Sequence, residues 1–333
     1  MSETTAWHIV GDVGGTNARF GVVRAGAWAY QDIATYQVAD FPAFADVLLQ
    51  LRRDLDNAGL TGPLGHACIA VAGPPHLEHI SFTNSSWRFT RAELSASLQT
   101  QDAIIINDFA AVARALPALT TDDWEQIGGG RRIAGETCAA IGPGTGTGVA
   151  GIVIAADNHP AVISGEGGHI DFAPVTDVEI EIYRRLRARF GRVSIERLLC
   201  GDGIVNIYQA LADYRGISAS LSSPGQIGEA ARAGSDPLSD ETMAIFFAVL
   251  GASAGNCALT FGARGGVFIA GGIAPRYIDL LRRSDFRARF LAKGRFADYL
   301  ADIPTLVVTH PGVGLLGSAL TLYDLHLGYP HAP

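Results

Sequence analysis

Gly142-Pro-Gly-Thr-Gly-Thr-Gly148, set between the apolar runs 138–141 and 149–155, is a glycine turn between two strands, and the chain uses the same device once before it. Near the N-terminus, residues 7–10 lead into Gly11-Asp-Val-Gly-Gly-Thr-Asn17, and the apolar run 18–23 follows. Short apolar runs bounded by glycine read as strands, so each string predicts a β-hairpin. A turn made of glycines presents consecutive backbone N–H groups with no side chain in the way, which suits it to hold an anion. A tight turn with no ligand explains either string alone. Their recurrence in matched positions favours a phosphate cradle made of hairpins. It is not a P-loop, because no G-x-x-x-x-G-K-[ST] string occurs in the chain. Asp12 lies inside the first turn, where a carboxylate repels phosphate unless a divalent cation such as magnesium stands between them. Thr16 and Thr145 add hydroxyl donors.

Outward from the first hairpin, residues 33–36 read as a third strand. Phe41, Phe44, Val47, Leu48, Leu51 and Leu55 then fall at helical spacing over 41–57, with Gly59 as a stop. Strands return at 67–71 and 103–106, and between them Thr90-x-x-Glu93 is a capping box that starts a short helix. After the second hairpin the spacing predicts helices over 178–190, 194–199, 203–214 and 241–261. A strand over 267–270, a helix after Pro275, a strand over 305–309 and an amphipathic helix over 313–327 follow. Alternating strands and helices make an α/β protein with mixed or parallel sheets covered by helices. A chain of 333 residues fits two lobes with a cleft rather than one core. The last helix is expected to pack back on the first lobe, giving a small domain of 1–118 plus 311–333 and a large one of 119–310. Residues 218–228 read as a surface loop and 120–136 as a mobile boundary.

Hydrophobic residues are 48% of the chain and charged residues 17%, the reverse of the balance in a disordered chain. A formal net charge of -8 provides no global basic field, so nucleic acid is not an expected partner and an anionic substrate must be held locally. Cys68, Cys138, Cys200 and Cys257 stand far apart with no C-x-x-C pair, which removes the usual zinc signature and points to a reducing cytoplasm. Residues 1–10 have no basic n-region and no long apolar h-region, so no secretory signal is expected. Residues 242–263 are uncharged, long enough to span a membrane, and carry Gly251-x-x-x-Gly255. Asn256, the small residues and the glycine-rich strand that follows favour a buried helix, so no membrane is expected.

Gly312-x-Gly314-x-x-Gly317 satisfies a dinucleotide fingerprint, but only sixteen residues follow it. Close helix–strand packing explains it better. Asn107-Asp108 ends the strand over 103–106 and meets the helical run 109–116, at a strand edge where ligands gather in α/β folds. Asp108 is a candidate general base, or an N-cap, a role Asp favours. Gly165-Glu-Gly-Gly-His169 is a glycine-flanked acid and imidazole suited to close contact with a polyhydroxylated ligand, or a structural turn. Glu196, after the N-cap candidate Ser194, also reads as a helix-dipole acid.

Taken together, Gly11-DVGGTNARF-20, Ile106-NDF-109, Ile141-GPGTGTGV-149, Gly165-EGGHIDFAP-174, Ser194-IERLLCG-201 and Gly265-GVFIAGGI-273 resemble, in order and spacing, the bacterial glucokinase family. The resemblance covers nearly the whole chain. The first string is common to many sugar kinases, whereas E-G-G-H-x-D-F-A-P with the later S-x-E-R is specific to this group. It implies the two-lobed hexokinase/actin-like ATPase (ribonuclease H-like) fold, with the active site in the interlobe cleft. It also implies ATP-dependent phosphorylation of glucose to glucose 6-phosphate. Asp108 then looks like the base for the sugar 6-hydroxyl and Asn107 like a partner of neighbouring hydroxyls. Glu166, His169 and Glu196 look like the remaining sugar ligands. Asp12, Gly14, Gly15 and Thr16 correspond to the first phosphate motif, Gly144, Thr145 and Gly146 to the second, and Gly271 and Gly272 to the adenosine turn. Asp12 would meet magnesium through water. The cysteine-rich zinc motif of the related repressor and kinase family is missing, which places the chain with the zinc-free glucokinases. Pro143 removes one N–H from the second turn and leaves open which amides face phosphate.

The implied mechanism expels water as the lobes close, so that the sugar alone accepts the phosphoryl group. Another hexose or hexosamine kinase of the same fold is the nearest alternative, and an actin-like ATPase a more distant one. A sugar-responsive regulator would need a DNA-binding segment, for which the chain ahead of Gly11 is too short. A homodimer is expected by default.

Overall fold

The computed structural model describes residues 7–61, 64–82, 87–155 and 159–328. The stretch 1–6, part of the segment tested for a signal, lies outside them. Contacts divide the chain into two units, one of Met1–Ala118, Ala155–Ser164 and Pro311–Pro333, the other of Leu119–Ile154 and Gly165–His310. The excursion Ala155–Ser164 was not expected in the first unit.

In the first unit, strands β1 (Trp7–Val13), β2 (Asn17–Arg24), β3 (Tyr30–Gln37), β4 (Leu64–Val71) and, after the small hairpin β5 (His79–Ser81) and β6 (Arg88–Thr90), β7 (Thr100–Asn107) form one sheet in the order β3-β2-β1-β4-β7. β1 and β2 are the antiparallel hairpin, with Gly11 opposite Phe20, while β4 runs parallel to β1 and to β7. The period-two alternation of strands decides what each face buries. Ile9, Val13, Ala67, Ile69, Val71, Ala103 and Ile105 belong to one core with Phe44, Leu51 and Leu55 of helix α1 (Phe44–Asn57) and Leu94 and Leu98 of α2 (Arg91–Leu98). Val10, Cys68, Ala70 and Ile106 belong to the other, with Ala111 of α3 (Asp108–Ala115) and, from the end of the chain, Leu315, Ala319 and Leu322. The capping box is present: the Glu93 amide donates to Thr90 Oγ1 at 3.2 Å and the Thr90 amide to Glu93 Oε2 at 2.7 Å.

In the second unit, β8 (Trp124–Gly128), β9 (Cys138–Pro143) and β10 (Thr147–Ile154) precede β11 (Pro160–Gly165), which falls largely in the excursion. Helices α4 (Asp177–Phe190), α5 (Gly201–Arg215), α6 (Pro224–Ala233) and α7 (Pro237–Phe261) follow, then β12 (Gly266–Ile269), short helices α8 (Ile273–Arg276), α9 (Ile278–Arg283), α10 (Phe286–Leu291) and α11 (Ala297–Ala301), and β13 (Thr305–Val308). Strands β10-β9-β12-β13-β8 lie side by side in that order. The opening device repeats: β9 and β10 are an antiparallel hairpin, and β12 runs parallel to β9 with Ile269 beside Ile141.

Several expectations shift. The segment 120–136 holds strand β8, paired antiparallel with β13. The serine-rich stretch 218–228 is a loop only to Ser223, whose hydroxyl accepts from the Gln226 amide and starts α6 with Pro224 in its first turn. α7 begins four residues before the expected 241, capped by Asp236 with Pro237 at its first position, where the missing N–H costs nothing. The long apolar α7 is a core helix: Gly251 and Gly255 are bare because the main chain of α10 crosses there, and a Cβ on Gly255 would lie 2.5 Å from Phe290 O. The terminal helix α12 (Val313–His326) is not amphipathic, since Gly314–Leu322 is buried throughout, between the sheet and α3. Its fingerprint glycines are packing positions. A Cβ on Gly317 would overlap Ala111 O of α3, and one on Gly314 would lie 2.7 Å from the Asp12 carboxylate. A two-pronged ion pair, Arg114 Nε to Asp324 Oδ2 at 2.5 Å and Nη2 to Oδ1 at 2.7 Å, fastens α3 to α12.

Candidate active site

Asp12 and Asn107 stand near the carboxyl edges of β1 and β7, with β4 between them. Two strand spacings separate them, about 10 Å. Asp12 faces Arg19 across the hairpin at 3.6 Å and keeps 21% of its side chain exposed. Burial raises its carboxyl above the ordinary value, and Arg19 offsets part of that rise. A single carboxylate disfavoured as an anion, with one distant guanidinium, is a donor set that a cation would satisfy. No cluster of three or more His, Cys, Asp or Glu exists among the described residues to cage a metal. This fits magnesium, which binds through one or two carboxylates, water and substrate phosphates.

The two glycine turns engage their amides alike. In the first, the Gly14 amide donates to Asn17 O at 2.9 Å. In the second, the Gly144 amide donates to Gly146 O at 2.8 Å and Thr147 N–H is taken by Glu196 Oε2 at 3.0 Å. Among the described residues, the amides of Gly15 and Thr16 and of Thr145 and Gly146 donate to no protein acceptor. Each turn thus keeps two consecutive N–H groups available. Gly271, at φ +80, lies where a Cβ would be 2.5 Å from Pro143 O, so the turn after β12 lies against the base of the second hairpin. Gly272 has open space around it.

At the end of β7 the helix cap is Asn107, not Asp108. Asn107 Oδ1 accepts from the Phe109 and Ala110 amides at 2.9 and 3.1 Å, and Asp108 is the first helical residue. Asp108 Oδ1 takes the Phe109 amide at 2.9 Å. The Asn107 oxygen is therefore committed to the backbone, and its Nδ2 reaches Gly73 O only at 3.5 Å. Gly73, in the Ala72-Gly73-Pro74-Pro75 turn after β4, was missed in the sequence reading. Its φ is +157, and the signal the sequence offered was a glycine directly before two prolines.

The second unit brings Glu166, His169 and Glu196 onto two neighbouring 3₁₀ turns, Gly167–His169 and Ile195–Arg197. The Ile195 amide donates to Ile170 O at 2.9 Å and the Phe172 amide to Val193 O at 3.0 Å, which ties the turns together. Gly167 lies flat on β10, where a Cβ would be 2.7 Å from Val149 Cβ. Glu166 and His169 are exposed and Glu196 is half-buried. Ser194 makes no side-chain cap; Glu196 does stand in the first turn of its 3₁₀ segment, and its carboxylate accepts from the Thr147 amide of the second glycine turn. Thr147, also missed, pins that turn a second way, its hydroxyl donating to Leu199 O at 2.5 Å.

The family model described as Glucokinase matches residues 9–325. The chain belongs to the glucokinase family. A glucokinase of Hahella chejuensis is 41% identical over 314 residues, covering 94% of this chain and 96% of its own. Among solved structures, the glucokinase of an Antarctic psychrotroph superposes with a TM-score of 0.82 at 36% identity, covering 96% of this chain and 99% of its own. A glucokinase of Streptomyces griseus, solved with glucose and AMPPNP, shares the fold at a TM-score of 0.62 and 19% identity over 94% of this chain and 98% of its own. The enzyme thus has the two-lobed hexokinase/actin-like ATPase fold that the family resemblance implied.

Proposed function

We propose that the enzyme transfers the γ-phosphoryl group of ATP to the 6-hydroxyl of D-glucose, with Asp108 as the general base. The observation that carries this reading is the division of labour at the end of β7: Asn107 caps α3, so the carboxylate beside it is not the group that starts the helix. Asp108 accepts the hydroxyl proton as the sugar oxygen attacks phosphorus and the bond to ADP breaks. Asn107 offers its Nδ2 to a neighbouring ring hydroxyl, and Glu166, His169 and Glu196 take the others. Gly15 and Thr16 of the first turn and Thr145 and Gly146 of the second give their N–H groups to phosphate oxygens, with Gly14 and Gly144 closing the turns beside them. Gly271 and Gly272 leave room for the adenosine. Asp12 would hold magnesium through water. When bound, that ion neutralises charge on the phosphates as the transfer proceeds.

The four cysteines are free and buried, which fits a cytoplasmic enzyme, and a homodimer is part of the proposal. The test is ADP release in a coupled assay with glucose, with mannose, fructose and N-acetylglucosamine, and with no sugar. A kcat/KM that is highest for glucose supports the reading. A higher value for another sugar replaces the substrate, and equal ADP release without sugar refutes the kinase mechanism. Light scattering decides the dimer.

A further inference from the structure

We infer that Gly146, a residue of the second phosphate turn, positions the sugar by seating the Glu196 carboxylate; the inference rests on Glu196 being a sugar ligand. A glycine in such a turn is ordinarily explained by the approach of phosphate to bare backbone. Here a protein side chain fills that space. A Cβ on Gly146 would lie 2.6 Å from Glu196 Oε2 and 3.5 Å from its Cδ, closer than carbon and oxygen pack. Gly144 two residues earlier is different, since a Cβ there meets nothing nearer than Gly146 O at 4.0 Å.

The carboxylate is the part that must yield. Its own backbone is fixed by the Leu198 and Leu199 amides, which donate to Ile195 O at 3.0 and 2.9 Å, and by Cys200 Sγ, which donates to Glu196 O at 3.1 Å. The turn is fixed in return, because the Gly201 amide donates to Gly144 O at 3.0 Å and Thr147 is held at both its amide and its hydroxyl. The φ of Gly146 lies outside the left-handed region, so alanine fits the backbone there and the added methyl group acts only through what it touches. Gly146→Ala therefore displaces Glu196 Oε2 from its seat against the Thr147 amide and misaligns it for a sugar hydroxyl. Loss of alignment at one charged hydrogen bond weakens binding about tenfold or more.

The experiment is calorimetric titration of the full-length enzyme with glucose in the absence of nucleotide, for wild type, Gly146→Ala, Glu196→Ala and the double variant, each checked by thermal melting. Glucose affinity is expected to fall about tenfold or more in both single variants, and Gly146→Ala is expected to add less than about twofold once Glu196 is truncated, because the two changes act through one contact. If Gly146→Ala binds glucose like wild type while Glu196→Ala does not, or if the two losses add in full, the inference is overturned and the sugar-ligand reading stands. If Glu196→Ala binds glucose normally, that reading fails and takes the inference with it. Should Gly146→Ala not fold, recovery of the fold in the double variant supports the contact. Failure of the double variant to recover overturns it, since the turn would then need glycine for its own sake.

Discussion

Replacing Asp108 by Asn removes one charge and leaves the side chain the same size. Asn107 keeps both of its bonds to the first turn of α3, at 2.9 and 3.1 Å, and the new amide oxygen can still accept from Phe109 N–H. No cap is lost, but the charge in the first turn of α3 is, so the folded state should change by no more than about 1 kcal/mol and the melting temperature by about 2–4 °C. The proposed proton acceptor is lost, and general-base catalysis contributes about 10²- to 10⁴-fold, or about 2.7 to 5.4 kcal/mol of barrier. kcat should fall by that factor with a much smaller change in glucose affinity. Asn107→Ala is the counterpart, because it removes the cap itself at a cost of about 0.5–2 kcal/mol and should lower the melting temperature visibly. Coupled ADP release gives kcat, calorimetry the glucose affinity, and melting curves the stability. Near-normal turnover in folded Asp108→Asn would refute the base assignment. A melting loss in Asp108→Asn equal to that of Asn107→Ala would return Asp108 to a capping role.

Gly144→Ala crowds no protein atom, the nearest being Gly146 O at 4.0 Å, so it should raise the ATP KM through the nucleotide alone and leave nucleotide-free glucose binding intact; unchanged ATP kinetics would remove this turn from the phosphate site. Burial raises the Asp12 carboxyl, so the folded chain holds that proton more tightly than the unfolded chain and the associated stability is lost as pH rises through the folded value. Asp12→Asn should therefore melt above wild type at pH 7, with the difference vanishing below about pH 4, while ATP use falls; a wild type more stable at pH 7 would show that the Arg19 pair outweighs burial. Gly317→Ala drives a methyl group into the main chain of α3 and should cost about 1–3 kcal/mol in denaturant titration, against near neutrality if the helices can part without loss.

Both hairpins were legible because glycine strings between apolar runs state their own geometry, and the strings 165–174 and 194–201 were legible as family motifs. The order of roles in Asn107-Asp108 was not. Both residue types cap helices well, and which one does so depends on where pairing with β4 releases the chain, at Asn107 opposite Val71. The contact of Glu196 with Thr147 spans 49 residues and joins a side chain to a backbone amide, so no local pattern announces it. The start of α7 was hidden because Pro237 reads as a break until Asp236 is recognised as its cap. α12 was misjudged as amphipathic because its small residues, which look neutral in a periodic pattern, are where α3 and Asp12 press closest.

The dependence of the first sheet on α12 has a consequence for biosynthesis. The strands that carry Asp12 and Asn107 leave the ribosome early, yet the helix that covers Val10, Cys68, Ala70 and Ile106 is made last. At about 5–20 residues per second, the roughly 200 residues between β7 and α12 take about 10–40 s to make. Throughout that interval this face of the nascent sheet has only α3 and not α12 to cover it, and the chain of the second unit is finished, at His310, before α12 is made. The first part of the enzyme to be translated is therefore the last to be finished, and a ribosome that stalls or stops before residue 313 releases a chain whose first sheet is only partly covered on one side.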